Sequence, residues 1–151
     1  MRRLSQREIK NLQESLKKQY GVEDAFDGLV LYISGGRRIR ATTPETAKLA
    51  RKLRKVQQIG LYVAKLSKAG VSLSPEGSQL LDDAIKKNIV ELSEEEAELW
   101  MKAAPLTLHA ETEGIYVVGR LGKLYLGSGR VSRDGKIYPQ IAKWRRIPEK
   151  S

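Results

Sequence analysis

Apolar residues recur at helical spacing in some stretches of the chain and alternate in others, which divides it into readable elements. Ile9, Leu12 and Leu16 fall on one helical face and predict a helix over about 7–19. Ser5 and Glu8 have capping-box spacing at its start, and Gly21 can stop it. Leu29, Leu31 and Ile33 then alternate, as on a half-buried strand. Gly35-Gly36 supplies a two-residue turn into an arginine-rich return strand over 37–42. Thr43-Pro44 opens a second helix with proline at its first position. That helix is expected to reach about residue 55, burying Leu49 and Leu53 and exposing Lys48, Arg51, Lys52, Arg54 and Lys55. Ile59, Leu61 and Val63 share one face of the next strand, and Lys68-Ala69-Gly70 turns the chain into 71–73. Ser74-Pro75 starts a helix to about 86, with Leu80, Leu81, Ala84 and Ile85 packed.

The spacing changes at about residue 88. A short extended stretch over 88–92 leads into a second capping box, Ser93 and Glu96, with Leu92 and Ala97 at staple spacing. This helix ends before Pro105. Short strands separated by glycine turns follow at 115–118, 124–127, 130–132 and 136–138, with Arg133-Asp134-Gly135 as a hairpin connection. Short strands around one small acidic helix predict a compact barrel. The expected class is therefore α+β: a mixed α/β unit over 1–87 packed on a small β-barrel over 88–151. The tail 147–151 is expected to fray.

Charge changes the picture most. The chain carries 28 Lys and Arg against 18 Asp and Glu, net +10, and the signs are segregated. Residues 36–70 hold 10 basic and 1 acidic group, net +9, and 114–151 hold 9 and 2, net +7. Between them, 71–113 hold 3 and 10, net −7. One-sign blocks are the footprint of a polyanion binder, whereas surface ion-pair networks mix signs. No run approaches the roughly eighteen apolar residues of a membrane helix, and the first residues lack a hydrophobic leader. A cytoplasmic monomer without a membrane partner is expected.

Catalytic vocabulary is sparse. The chain has no cysteine and one histidine, His109, which excludes disulfides, thiolate chemistry and histidine-rich metal sites. No cofactor is expected. Gly114 to Arg120 has the glycine spacing of a phosphate loop but lacks its Lys-Ser/Thr ending, so it reads as a strand. Gly127-Ser128-Gly129 is not a nucleophile elbow; its glycines are expected to let a strand bend or let RNA approach. Glu94, Glu95, Glu96 and Glu98 sit where carboxylates complement a helix dipole, which needs no catalytic cause. Asp82 and Asp83 are adjacent and point about 100° apart on a helix.

Basic residues interleaved with aromatics carry the strongest chemical signal. Cations neutralise phosphates, arginine can grip one bidentately, and tyrosine or tryptophan can stack on bases. The candidate RNA-binding residues are Arg37, Arg38, Arg40, Arg51, Lys55, Lys65 and Lys68 in the first basic block. In the second they are Arg120, Lys123, Arg130, Arg133, Lys136, Tyr138, Lys143, Arg145 and Arg146. Trp144 is expected to close the barrel as a core lid, given its bulk.

Several segments resemble a known family. They are Ile89-Val90-Glu91-Leu92-Ser93-Glu94-Glu95-Glu96-Ala97, Gly114-Ile115-Tyr116-Val117-Val118, Leu126-Gly127-Ser128-Gly129-Arg130-Val131, and the ending from Lys136 to Arg146 with Pro139. Together they resemble a PUA-like RNA-binding domain, most of all the C-terminal extension of the Sun/Nop RNA cytosine-5 methyltransferases. Gly60-Leu61-Tyr62-Val63 and Leu73-Ser74-Pro75-Glu76-Gly77 look like the segment before the barrel in stand-alone PUA-containing ribosome-biogenesis proteins. The likeness covers about two-thirds of the chain. Ala103-Ala104-Pro105 departs from the glycine often found there. No glycine-rich S-adenosylmethionine loop follows an expected strand, and the cysteine nucleophile of the methyltransferases is absent. The resemblance thus implies RNA placement without methylation.

The leading expectation is a non-catalytic factor that binds structured RNA, ribosomal or pre-ribosomal first and transfer RNA as the other candidate, in ribosome assembly or on the ribosome. Its two basic blocks would form one surface. An alternative is an adaptor whose acidic helix, at Glu94, Glu95 and Glu98, docks a ribosomal protein or an RNA-modification enzyme. An RNA-processing enzyme is the weakest alternative, since no convergent acid/base constellation is readable.

Overall fold

The computed structural model describes residues 1–52, 60–107, 112 and 114–148, and has a mixed α+β architecture with two five-stranded sheets. Helix α1 (Gln6–Tyr20) forms on its apolar stripe, with Leu12, Leu16 and Tyr20 buried. The Ser5 hydroxyl accepts from the Glu8 N–H, the Glu8 carboxylate accepts from the Ser5 N–H, and Gly21 ends the helix at φ 70°. Both groups of the capping box are therefore satisfied locally.

The first sheet runs β1 (Arg2–Arg3), β2 (Val30–Ser34), β3 (Arg38–Thr42), β4 (Leu61–Ser67) and β5 (Gly70–Leu73), every pair antiparallel. Ser34 pairs with Arg38, so the β2–β3 connection contains Gly35, Gly36 and Arg37 rather than two glycines. Gly36 and Arg37 both take positive φ, 74° and 59°. The strand consequently starts one residue later than the arginine pattern suggested.

Helix α2 (Pro44–Lys52) follows, with the Thr43 hydroxyl accepting from the Thr46 N–H. Ala47 is its buried contact, while Leu49 is 57% exposed. Two residues are about 200° of helical rotation, so Leu49 cannot share the face of Ala47. Leu53, Arg54, Lys55 and Ile59 lie outside the described residues. Strand β4 also departs from simple alternation. Pairing jumps from Ile39–Ala64 to Arg40–Tyr62, leaving Val63 as the extra residue of a bulge. Val63 and Ala64 are both fully buried and Leu61 is exposed, so Leu61 and Val63 do not share a face.

Helix α3 (Pro75–Leu81) begins at Ser74, whose hydroxyl accepts from the Gly77 N–H. It is shorter than its apolar pattern predicted, because Asp82 takes φ 46° and opens a single 3-10 turn, Asp82–Ala84. Leu81 and Ile85 are buried, but Leu80 is half exposed. The N–H groups of Lys86 and Lys87 then donate to the Tyr20 carbonyl at the end of α1, at 2.7 and 3.2 Å.

The second sheet contains β6 (Ile89–Glu91), β7 (Leu106–Thr107), β8 (Tyr116–Leu121), β9 (Leu124–Val131) and β10 (Lys136–Pro139), in the order β6-β8-β9-β10-β7. Strand β6 is parallel to β8 and the other pairs are antiparallel. The sheet curls as a half-barrel around helix α4 (Glu94–Met101), whose Trp100 is fully buried. The Trp100 indole N–H donates to the Leu126 carbonyl at 2.9 Å. A β-carbon on Gly129 would lie 2.6 Å from the Trp100 ring, and one on Gly127 would lie 2.9 Å from the backbone of Pro75. The strands expected at 124–127 and 130–132 are therefore one, and 127–129 is its buried middle. Its glycines make room for Trp100 and for the start of α3.

The two halves share a core. Tyr116, Val118 and Tyr125 of the second sheet pack in the same cluster as Leu16, Tyr20, Ile39 and Leu73. A buried chain of hydrogen bonds crosses the same boundary. The Ser128 hydroxyl lies 2.7 Å from the Tyr20 hydroxyl and accepts from the Leu73 N–H at 2.8 Å, while Tyr20 donates to the Val71 carbonyl at 3.1 Å. Burial pushes the Tyr20 phenol well above its ordinary pKa. Among the described residues, no helix is long and apolar enough to cross a membrane.

Candidate nucleic-acid interface

The bulge in β4 sets one wall of a basic groove. It places Tyr62 across from Arg40, and Lys65 across from Arg38. Arg38 and Arg40 are two apart on β3 and so project from one face of the sheet. The other wall is the segment after β10. Gln140 donates its backbone N–H to the Ser128 carbonyl at 2.8 Å, and Ile141 is buried. A single 3-10 turn, Lys143–Arg145, follows. Three contacts pin that turn: an ion pair from Arg145 to Glu76, a bond from Arg146 Nε to the Ile141 carbonyl at 2.9 Å, and one from the Ile147 N–H to the Met101 carbonyl at 3.0 Å.

Trp144 projects from this turn, 61% exposed. The Arg38 guanidinium lies 5.2 Å from its ring centroid and 5.9 Å from that of Tyr62. The two aromatic rings are 5.8 Å apart and tilted by 55°. Trp144 is thus not the lid of the core; Trp100 fills that place, and Trp144 joins the two basic segments at the surface. A groove of about 490 Å³ opens between the walls, lined by Arg38, Tyr62, Lys65, Ser72, residues 139–144 and Arg146. A second hollow alongside it is lined by Ser34, Gly35, Arg38, Arg40 and Trp144.

The field of the groove is positive and little compensated. Among the described residues the carboxylate partners belong to Arg2, Lys17, Lys102, Arg120 and Arg145. Arg38 and Arg40 instead donate weakly to the carbonyls of Gly35 and Gly60, at 3.4 and 3.2 Å. Their Nε atoms are buried without a hydrogen-bond acceptor. Burial raises the Tyr62 phenol, against the opposing effect of Arg38, so Tyr62 stays a neutral, amphipathic ring.

The remaining candidates are dispersed. Arg37 is exposed in the β2–β3 loop, Arg51 on α2 and Lys68 in the β4–β5 turn; Lys55 lies outside the described residues. Arg120 is engaged, bridging Glu91 and the Tyr125 hydroxyl, and these bonds raise its pKa. Lys123 sits in the β8–β9 turn, and Arg133 in the β9–β10 turn with Arg130 and Lys136 on the adjoining strands. These two turns lie at opposite ends of an eight-residue strand, about 25 Å apart. Tyr138 is 38% exposed and donates to Asp134 at 3.1 Å, an acid held below its usual range first by the Ser132 hydroxyl.

Glu94 and Glu95 are exposed on the first turn of α4, and Glu98 pairs with Lys102 at 3.3 Å. Among the described residues no cluster of three acidic or histidine side chains could hold a metal; His109 lies outside them. The sequence pattern missed Tyr62 and the surface position of Trp144. One signal was present: the stretch after Pro139 lacks strand alternation, so nothing predicted a sheet to bury its tryptophan. No protein-family model and no curated protein matches this chain.

Proposed function

We propose that the protein binds structured RNA, ribosomal or pre-ribosomal, without catalysing a reaction on it, and that its curled C-terminal half is a PUA-like unit. The observation that supports this best is the meeting of Arg38 with Trp144. It joins two basic segments, about a hundred residues apart in sequence, in one groove. Arg38, Arg40, Lys65, Lys143 and Arg146 there lack carboxylate partners among the described residues, so a phosphate backbone can neutralise them without first breaking an ion pair. Arginine beside tryptophan and tyrosine supplies charge and a stacking surface together, the combination that RNA recognition uses. The dispersed cations at the ends of β9 suit a ligand that extends well beyond the groove.

Binding of the full chain to ribosomal RNA, measured by filter retention across salt concentrations, tests this. If about six phosphates are contacted, log affinity falls with log salt at a slope near −5. Salt-independent affinity, or retention no better for RNA than for an uncharged polymer, removes the proposal.

The exposed pair Glu94 and Glu95 favours a second reading. The capping box uses Glu96, so these two carboxylates are free of that task. They suit a basic protein partner docked while RNA occupies the groove. Reversing both charges would abolish partner recovery and leave RNA affinity intact; unchanged recovery would exclude the adaptor role.

A further inference from the structure

We infer that Trp144, with Arg38 and Tyr62, forms a stacking site for an unpaired nucleobase, so that the groove selects a loop, bulge or single strand over a regular duplex. The inference rests on the RNA-binding proposal and adds the conformation of the RNA. An indole left 61% exposed forgoes about 1–2 kcal/mol of burial. A loose tail would be one explanation for such exposure, but this tryptophan stands on a turn pinned to Glu76, Ile141 and Met101. Its exposure is built in.

The chemistry around the ring fits a base and its two flanking phosphates. Arg38 and Arg40 lie on one side of Trp144, and Lys143 and Arg146 belong to the segment that carries it. Gln140 lines the same groove; its side-chain amide donates to the Tyr138 carbonyl at 2.8 Å, which leaves its oxygen to accept from a base edge. Bases inside a duplex are already stacked and cannot present a face to an indole, whereas splayed bases can.

The chain has two tryptophans, and Trp100 is fully buried, so a ligand-dependent change in intrinsic fluorescence reports Trp144. The probes are a short oligoribonucleotide of mixed sequence and the same strand annealed to its complement with blunt ends. The single strand is expected to quench the emission strongly and the duplex weakly. Trp144→Ala should lower single-strand affinity about ten-fold or more, with Trp144→Phe keeping most of it. Equal quenching by both forms, or Trp144→Ala with undiminished single-strand affinity, overturns the stacking site and leaves RNA binding standing. Binding of neither form overturns the stacking site, while retention of ribosomal RNA by the same preparation decides the RNA-binding proposal separately. Quenching by a proline-rich peptide and by neither RNA would assign the groove to a protein partner and also overturn the inference.

Discussion

The backbone of Gly77 lies so close to the carbonyl oxygen of Val63 that a β-carbon on Gly77 would sit 1.9 Å from it. Val63 is the bulged residue of β4, and the same carbonyl accepts from the Ser74 N–H at 3.0 Å. The Ser74 hydroxyl donates to the Tyr62 carbonyl at 2.6 Å. The start of α3 is thus locked onto the bulge that presents Tyr62 to the basic groove.

Gly77→Ala must push α3 away from β4, because the obstructing atom is backbone. Overpacking of this kind costs about 2–3 kcal/mol, which for a chain of this length lowers Tm by about 5–10 °C. RNA affinity should fall as well, since the displaced contact fixes Tyr62. Thermal melts with parallel binding curves check both effects, and a melt within about a degree of the parent would contradict the close contact.

Ser128→Ala tests the polar seam between the halves. The Ser128 hydroxyl satisfies the buried N–H of Leu73 and meets the Tyr20 hydroxyl, and nothing in the apolar surroundings replaces it. Leaving a buried donor unpaired costs about 1–3 kcal/mol. Tyr20→Phe breaks the same chain from its other side, so the two substitutions should be non-additive by at least about 0.5 kcal/mol. Chemical denaturation of the singles and the double measures this. Strict additivity would show that the hydroxyls act independently.

Local rules made much of the fold legible. Both capping boxes, the proline-led helices and the Gly21 stop form because their partners lie within a few residues. The errors arise where a distant element decides. Leu49 and Leu80 are apolar yet exposed, since α2 and α3 bury the faces holding Ala47 and Leu81. The bulge at Val63 depends on pairing with β3, and the continuity of β9 depends on Trp100 and α3 filling the space above its glycines. Charge segregation directed attention to both basic segments, which the structure brings together where Arg38 meets Trp144. Their meeting point could not be read, because Trp144 looks like a core residue until Trp100 is seen to occupy the core.

A pH prediction comes from the N-terminus. Hydrogen bonding to Arg2, reinforced by the Ser5 N–H, holds the Glu8 carboxyl down to about 2. The ordinary glutamate value in an unfolded chain is about 4.3. A depressed folded pKa stabilises the native state above the unfolded value, and the contribution is lost as pH falls through the folded one. The stability difference between the parent and Glu8→Gln should therefore be constant near neutrality, shrink between about pH 4 and 2, and vanish below. Denaturation curves at a series of pH values, at low salt because exposed charges are screened, check this. A difference that persists unchanged through that window would refute the assignment.

Arg38 and Arg120 should behave differently although both are arginines in the basic segments. Arg38 lies over Trp144 without a carboxylate partner among the described residues, whereas Arg120 is bound to Glu91 and Tyr125. Arg38→Gln should weaken RNA binding and reduce the salt slope by about 1, the signature of one lost phosphate contact. Arg38→Lys keeps the charge and loses the planar packing on Trp144. The slope should then hold while affinity drops by about 0.5–1 kcal/mol. Arg120→Gln should leave the slope unchanged, because its charge is already neutralised within the protein. Salt titrations of all three variants decide the matter. A slope that falls for Arg120→Gln and holds for Arg38→Gln would move the phosphate contact from the groove to the β6–β8 edge.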